Sequence, residues 1–359
     1  MKKIGIMTTG GDCSGLNTVI QRLTHGARLR GWQVWGILDG TDGLSTTPPR
    51  VIELNDDTLP IENARLAGSF LHNGHAGAMN FETAAEGGKL DNFNKKLRKS
   101  LQELKLAALV LIGGNGSLSL AWCNRAIYAD LQLICIPKTI DMDIPLTDRT
   151  IGFSTAVQQL TSFCDQLMMT ARSHHRWFVV QSMGRDCGAL ALHGGIAAGA
   201  AVILIPEIKF DLDSVIAHIQ HADTDYGIIV VSEGVHLRGH SGRPADIVSR
   251  KLTAAGIANR AVFPEHIQRV GDTTACDRIL AVRFADCALH AIDNNETYVM
   301  TALDGNNVKT VSLSDFFDAG EIADDPKIPG LKTSDAFVAP DDPLLDVAHH
   351  MGIYIGEIK

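Results

Sequence analysis

Residues 107–117 read AALVLIGGNGS: six apolar side chains in a row, then five small or polar residues of which three are glycine. An unbroken apolar run of that length, cut off by glycines, fits a strand buried on both faces, as in a parallel sheet. Residues 3–12, KIGIMTTGGD, repeat the design at the start of the chain. Working outward, similar apolar runs fall at 33–37, 131–136, 177–181, 201–205 and 227–231. Helical apolar spacing fills 16–29 and 151–169. Strands alternating with helices give an α/β fold with parallel sheets covered on both faces. In such sheets ligands sit beyond the carboxyl ends of the strands, where Gly11, Gly114, Asp141, Gly184 and Glu233 fall.

The chain has 359 residues, enough for about two domains. Its 32 basic and 41 acidic side chains leave a formal net charge of −9, which argues against a nucleic-acid coat and against a basic membrane binder. No apolar run reaches the ~18 residues a membrane span needs, and MKKIGIMTTGGD reads as a first strand and not a secretory signal. The seven cysteines are scattered with no Cys-x-x-Cys, so neither a disulfide framework nor a zinc site is indicated and a cytoplasmic location is expected.

Two glycine turns, Gly10-Gly11-Asp12 and Gly113-Gly114-Asn115-Gly116-Ser117, each stand between a strand and a helix. Without a Cβ, such turns let backbone N–H groups approach an anion, and the helix start adds its positive end. Two on separate strand ends suggest a polyphosphate cradle. Thr139-Ile140-Asp141-Met142-Asp143 places two carboxylates two residues apart, on one side if the segment is extended. Carboxylates of this kind hold Mg²⁺ or take a proton from a hydroxyl. Lys138 just ahead can meet a phosphate. Met183-Gly184-Arg185, with Arg176 at the start of the same strand, and Arg260, His266 and Arg269 further on, can grip a sugar phosphate.

Taken in order, KIGIMTTGGDCSGLN, VLIGGNGSLS, IPKTIDMDI, TIGFSTA, SHHRWFVVQSMGRDCGALAL, ILIPE, VVSEG and EHIQRVG with DRILAVRFA resemble the phosphofructokinase family from about residue 3 to residue 292. The resemblance implies two Rossmann-like α/β domains with parallel-rich sheets and the active site in the cleft between them. It implies a donor-binding domain of residues 1–152 plus about 267–320, a sugar-phosphate-binding domain of residues 153–266, and a C-terminal tail, 321–359, packing on the surface. It implies transfer of a phosphoryl group, from pyrophosphate or ATP with Mg²⁺, to the C1 hydroxyl of fructose 6-phosphate, pyrophosphate being slightly favoured. By resemblance Asp141 is the general base, Asp143 a metal carboxylate, and Thr139 and Arg185 contacts of the moving phosphoryl group. Gly11, Gly116, Ser117 and Lys138 serve the donor. Met183, Gly184, Glu233, His266 and Arg269 bind the sugar phosphate. Arg176 and Arg260 reach in from a neighbouring subunit, so a homodimer or homotetramer with shared sites is expected.

The resemblance breaks at three places. Asn115 stands where most members carry a metal-binding aspartate, Met142 replaces an asparagine, and the segment from Gly68 through His75 to Met79 lacks the usual Arg or Lys, leaving His72 and His75. These departures motivate an alternative, a catalytically weak or silent paralogue that binds sugar phosphate as a sensor.

Overall fold

The computed structural model describes residues 1–74, 89–237, 239–319, 323–324, 332–333 and 338–357. The chain divides into two units: Met1–Thr139 with Asp143–Gly152 and Asp272–Ser334, and Ile140–Met142 with Phe153–Gly271 and Asp335–Lys359.

The first unit is built on a sheet whose strands are β1 (Lys3–Thr8), β2 (Gln33–Ile37), β3 (Val51–Leu54), β4 (Ala108–Gly113), β5 (Gln132–Thr139), β6 (Ile151–Gly152), β11 (Val299–Asp304) and β12 (Asn307–Ser312). Their order is β12-β11-β5-β4-β1-β2-β3, with β6 also on β5. The strands β2, β1, β4, β5 and β11 run parallel, and antiparallel β3 and β12 close the edges. Ile4, Ile6, Val110, Ile112, Ile134 and Ile136 are buried on one face and Met7, Leu109, Leu111, Leu133 and Cys135 on the other, which explains the unbroken apolar runs: both faces are covered.

The second unit holds a smaller, all-parallel sheet of order β10-β7-β9-β8: β7 (Trp177–Ser182), β8 (Val202–Leu204), β9 (Gly227–Ser232) and β10 (Asn259–Val262). Val179, Val202, Leu204, Ile229 and Val231 pack into one core with Val215, Ile219, Val248 and Leu252 from its helices.

The expected strands are present, and the helix over 16–29 is found at Leu16–Leu29. Strands β3, β10, β11 and β12 lie outside the expected set: β3, at VIEL, has half-buried or exposed side chains except Leu54, and β10, at NRAV, carries an arginine. Neither shows the apolar run that marks a central strand. The strand expected at 131–136 continues to Thr139, because Lys138 and Thr139 pair with Ile151 and Gly152. That pairing also delays the next helix to Phe153–Ser173.

The C-terminal segment does more than wrap the surface. Tyr354 forms a parallel bridge with Val202, its N–H donates to the Ala201 carbonyl at 2.9 Å, and its own carbonyl accepts from Ile203 at 2.9 Å. It therefore covers the exposed edge of β8, which would otherwise offer unpaired backbone to another chain.

Candidate active site

In the first unit the carboxyl ends of β1, β4 and β5 are neighbours: Thr8 pairs with Ile112, and Gly113 with Pro137. The two glycine turns therefore leave the sheet side by side. Lys138, only 3% exposed, donates from Nζ to the Gly11 carbonyl, so it links the end of β5 to the first turn. Ser117 sits beside Gly10, its Oγ 3.3 Å from where a Cβ on Gly10 would be. Gly114 N-caps the helix Asn115–Cys123 without a side-chain hydrogen bond, and a Cβ on Gly116 would meet nothing within 4 Å. Packing does not demand glycine at 116.

The segment after β5 differs from the extended reading. Met142 has φ 57, the left-handed region, so strand alternation does not place Asp141 and Asp143 on one side. Asp141 is 5% exposed, whereas Asp143 is half-buried. On either side of the carboxylates, side chains hold backbone carbonyls: Thr150 Oγ1 donates to Thr139 O at 2.8 Å, and Asn115 Nδ2 donates to Asp143 O at 2.7 Å. Asn115 Oδ1 in turn accepts from Ser119 Oγ at 3.3 Å. The residue expected at a metal position thus has both amide atoms engaged within its own unit.

In the second unit the turn after β7 is tied down at each residue. Met183 N donates to Gln268 Oε1 at 3.1 Å, and Gly184 N and Arg185 N both donate to Glu233 Oε1, at 3.1 and 2.9 Å. Gln268 is buried and donates from Nε2 to the Glu265 carbonyl at 3.1 Å, which joins this turn to the short helix Glu265–Arg269. Gly184 has φ 136 and a Cβ there would lie 2.4 Å from the Cys187 carbonyl; a Cβ on Gly234 would lie 2.2 Å from the Arg185 carbonyl. Arg185 (φ 52) and His266 remain exposed, with Glu233 and Arg269 half-buried. This is a polar edge of two cations, a carboxylate and a histidine, set on fixed backbone.

Residues 3–292 match the family model described as Phosphofructokinase. The chain belongs to the phosphofructokinase family. Among curated relatives it is 36% identical to the ATP-dependent 6-phosphofructokinase 1 of a Nostoc species, over 99% of both chains. It is 35% identical to the pyrophosphate–fructose 6-phosphate 1-phosphotransferase of Amycolatopsis mediterranei, over 87% of this chain and 94% of that one. The solved pyrophosphate-dependent phosphofructokinase of Marinobacter aquaeolei superposes with a TM-score of 0.77 at 18% identity, covering 100% of this chain and 93% of that one, a likeness of fold.

Against the phosphofructokinase pattern, the first unit gathers Gly11, Asn115, Gly116, Ser117, Lys138, Thr139 and Asp143, and the second gathers Met183, Gly184, Arg185, Glu233, His266 and Arg269. Arg176 and Arg260 are not brought to the second group. They sit at the amino end of their sheet, Arg176 just before β7 and Arg260 paired with Phe178, ~20 Å along the strands from Met183. In the loop 68–75, His72 gives its carbonyl to Thr8 Oγ1 at 2.8 Å, and His75 lies outside the described residues, as does Met79. Sequence reading missed Gln268 and Gly234. Gln268 stands inside the EHIQR segment between two expected ligands; its neutral amide gave no charge signal.

Proposed function

We propose that this chain is a Mg²⁺-dependent 6-phosphofructokinase, which moves a phosphoryl group to the C1 hydroxyl of fructose 6-phosphate to give fructose 1,6-bisphosphate. The observations that carry this reading are the intact turn-and-histidine edge, Met183-Gly184-Arg185 with Glu233, His266 and Arg269, and, separately, the buried Asp141 just after β5. Phosphoryl transfer depends on in-line positioning and on charge around the moving group more than on covalent chemistry. Asp141 takes the proton from the sugar hydroxyl. Arg185 offsets charge on the transferring group, and Thr139 contacts it. Glu233, His266 and Arg269 hold the sugar phosphate. Arg176 and Arg260, remote from these along their strands, serve the site of a neighbouring subunit in a homodimer or homotetramer.

Mg²⁺ usually takes one or two carboxylates plus substrate phosphates and water, with no all-protein cage. No cluster of three His, Cys, Asp or Glu that could hold a metal is found among the described residues, and Asp143 beside the glycine turns suits the sparser arrangement. Asp143 would hold the ion together with the donor phosphates. When bound, the ion neutralises charge on the donor oxygens.

The donor contacts are Gly11, Gly116, Ser117 and Lys138. The buried Lys138, drawn onto the Gly11 carbonyl, occupies the first turn and favours the compact pyrophosphate. The open space at Gly116 and the Nostoc relative's name favour ATP. Parallel assays with each donor separate the two. A silent sugar-phosphate sensor is not favoured by the relatives' names. Asp141→Ser tests the base: product formation falls by roughly 10²–10⁴-fold, while fructose 6-phosphate still raises the melting temperature of the variant. Unchanged turnover in that variant would refute the assignment.

A further inference from the structure

We infer that Asn115 is a positioning residue that clamps the backbone of the Asp141–Asp143 segment, and that it contributes no charge to the metal. This rests on the phosphofructokinase reading above. An amide carries a donor and an acceptor; a carboxylate at neutral pH only accepts. In this structure the donor is the atom in use toward the segment: Nδ2 lies 2.7 Å from the Asp143 carbonyl oxygen. The acceptor, Oδ1, is turned the other way, onto the hydroxyl of buried Ser119 at 3.3 Å, one helical turn further on. The Asp143 carbonyl can only accept, so it fixes which end of the amide faces it, and the Ser119 hydroxyl satisfies the other end.

An aspartate at 115 could not make this contact. It would set a carboxylate oxygen against a carbonyl oxygen and leave that carbonyl without its 2.7 Å donor. The clamp also sits where regular structure has ended. Strand β5 stops at Thr139, and the next residue but two, Met142, is held at φ 57, a conformation an unbranched side chain adopts only when its surroundings impose it. The Asn115 bond lands on the residue directly after that strained position. It thus fixes the direction in which the Asp143 carboxylate leaves the backbone. The asparagine is fitted to a backbone carbonyl, and the metal charge comes from Asp143 and the substrate phosphates.

Two variants, Asn115→Asp and Asn115→Ala, test the inference with a readout that needs no turnover. In metal-free protein, hydrogen exchange at the amides of Met142, Asp143 and Ile144 should become about tenfold faster in both, as expected for the loss of one hydrogen bond. In the active enzyme, kcat should fall at least about tenfold while the KM for fructose 6-phosphate stays within about twofold. Asn115→Asp should need no less Mg²⁺ for half-saturation than Asn115→Ala. Wild-type exchange rates in both variants would overturn the inference. So would a lower Mg²⁺ requirement with kcat kept or raised in Asn115→Asp. If the unaltered protein makes no product with any donor, the phosphofructokinase reading fails, and the exchange measurement still decides the clamp.

Discussion

Single residues carry the most specific consequences. Met142 holds φ 57 with a side chain that pays for it, since a Cβ in the left-handed region costs roughly 1–2 kcal/mol. Asparagine tolerates that region through local hydrogen bonding. Met142→Asn should therefore raise the melting temperature by about 1–3 °C, readable by differential scanning fluorimetry; a lower melting temperature would contradict the strain. The opposite holds at Gly234, where a Cβ would meet the Arg185 carbonyl at 2.2 Å. Gly234→Ala must displace the Arg185 backbone, and the KM for fructose 6-phosphate should rise tenfold or more. Gly116→Ala, with empty space around it, should leave melting unchanged and weaken the donor instead. Much at this scale was legible in the sequence: the glycine turns, the two aspartates and the Met183-Gly184-Arg185 turn stand out by composition. The engagement of Asn115 and Gln268 did not, because a side chain's partner across 28 or 85 residues leaves no local pattern.

At the scale of elements, apolar runs located the buried central strands; glycine ends β4, whereas β5 runs on to Thr139 through its pairing with β6. The edge strands β3, β10 and β12 escaped because several of their side chains are exposed or half-buried and pairing is decided by a distant neighbour. The bridge of Tyr354 to Val202 belongs to the same class. Tyr354→Pro removes the N–H that reaches Ala201 and should lower stability and promote self-association on dilution from denaturant, measured by light scattering. The helix Leu212–Gln220 gives a pH-dependent case. Asp211 caps it by accepting from Ser214 N at 2.9 Å, and that backbone hydrogen bond chiefly holds its carboxyl below the usual 3.8. A depressed folded value means the cap stabilises fully above pH 3.8 and is lost as the pH falls below it. The melting temperature of Asp211→Ala should accordingly lie below that of the unaltered protein at neutral pH and converge with it in stronger acid.

For the whole molecule, the net charge is −9, while the residues proposed for anionic substrates include Lys138 at the end of β5, Arg185 in the turn after β7 and Arg269 in the short helix Glu265–Arg269. No helix among the described residues is long and apolar enough to cross a membrane. The residues proposed to serve the two substrates divide between the two units: the glycine turns, Lys138 and Asp143 in one, and the Met183-Gly184-Arg185 turn with Glu233, His266 and Arg269 in the other. The proposed phosphoryl transfer needs one donor, one acceptor and Mg²⁺. Incubating the purified protein with fructose 6-phosphate, Mg²⁺ and, in separate reactions, pyrophosphate or ATP tests this most directly. Fructose 1,6-bisphosphate should form with at least one donor and should disappear when Mg²⁺ is chelated. Absence of product with both donors, in protein that fructose 6-phosphate still stabilises thermally, would contradict it.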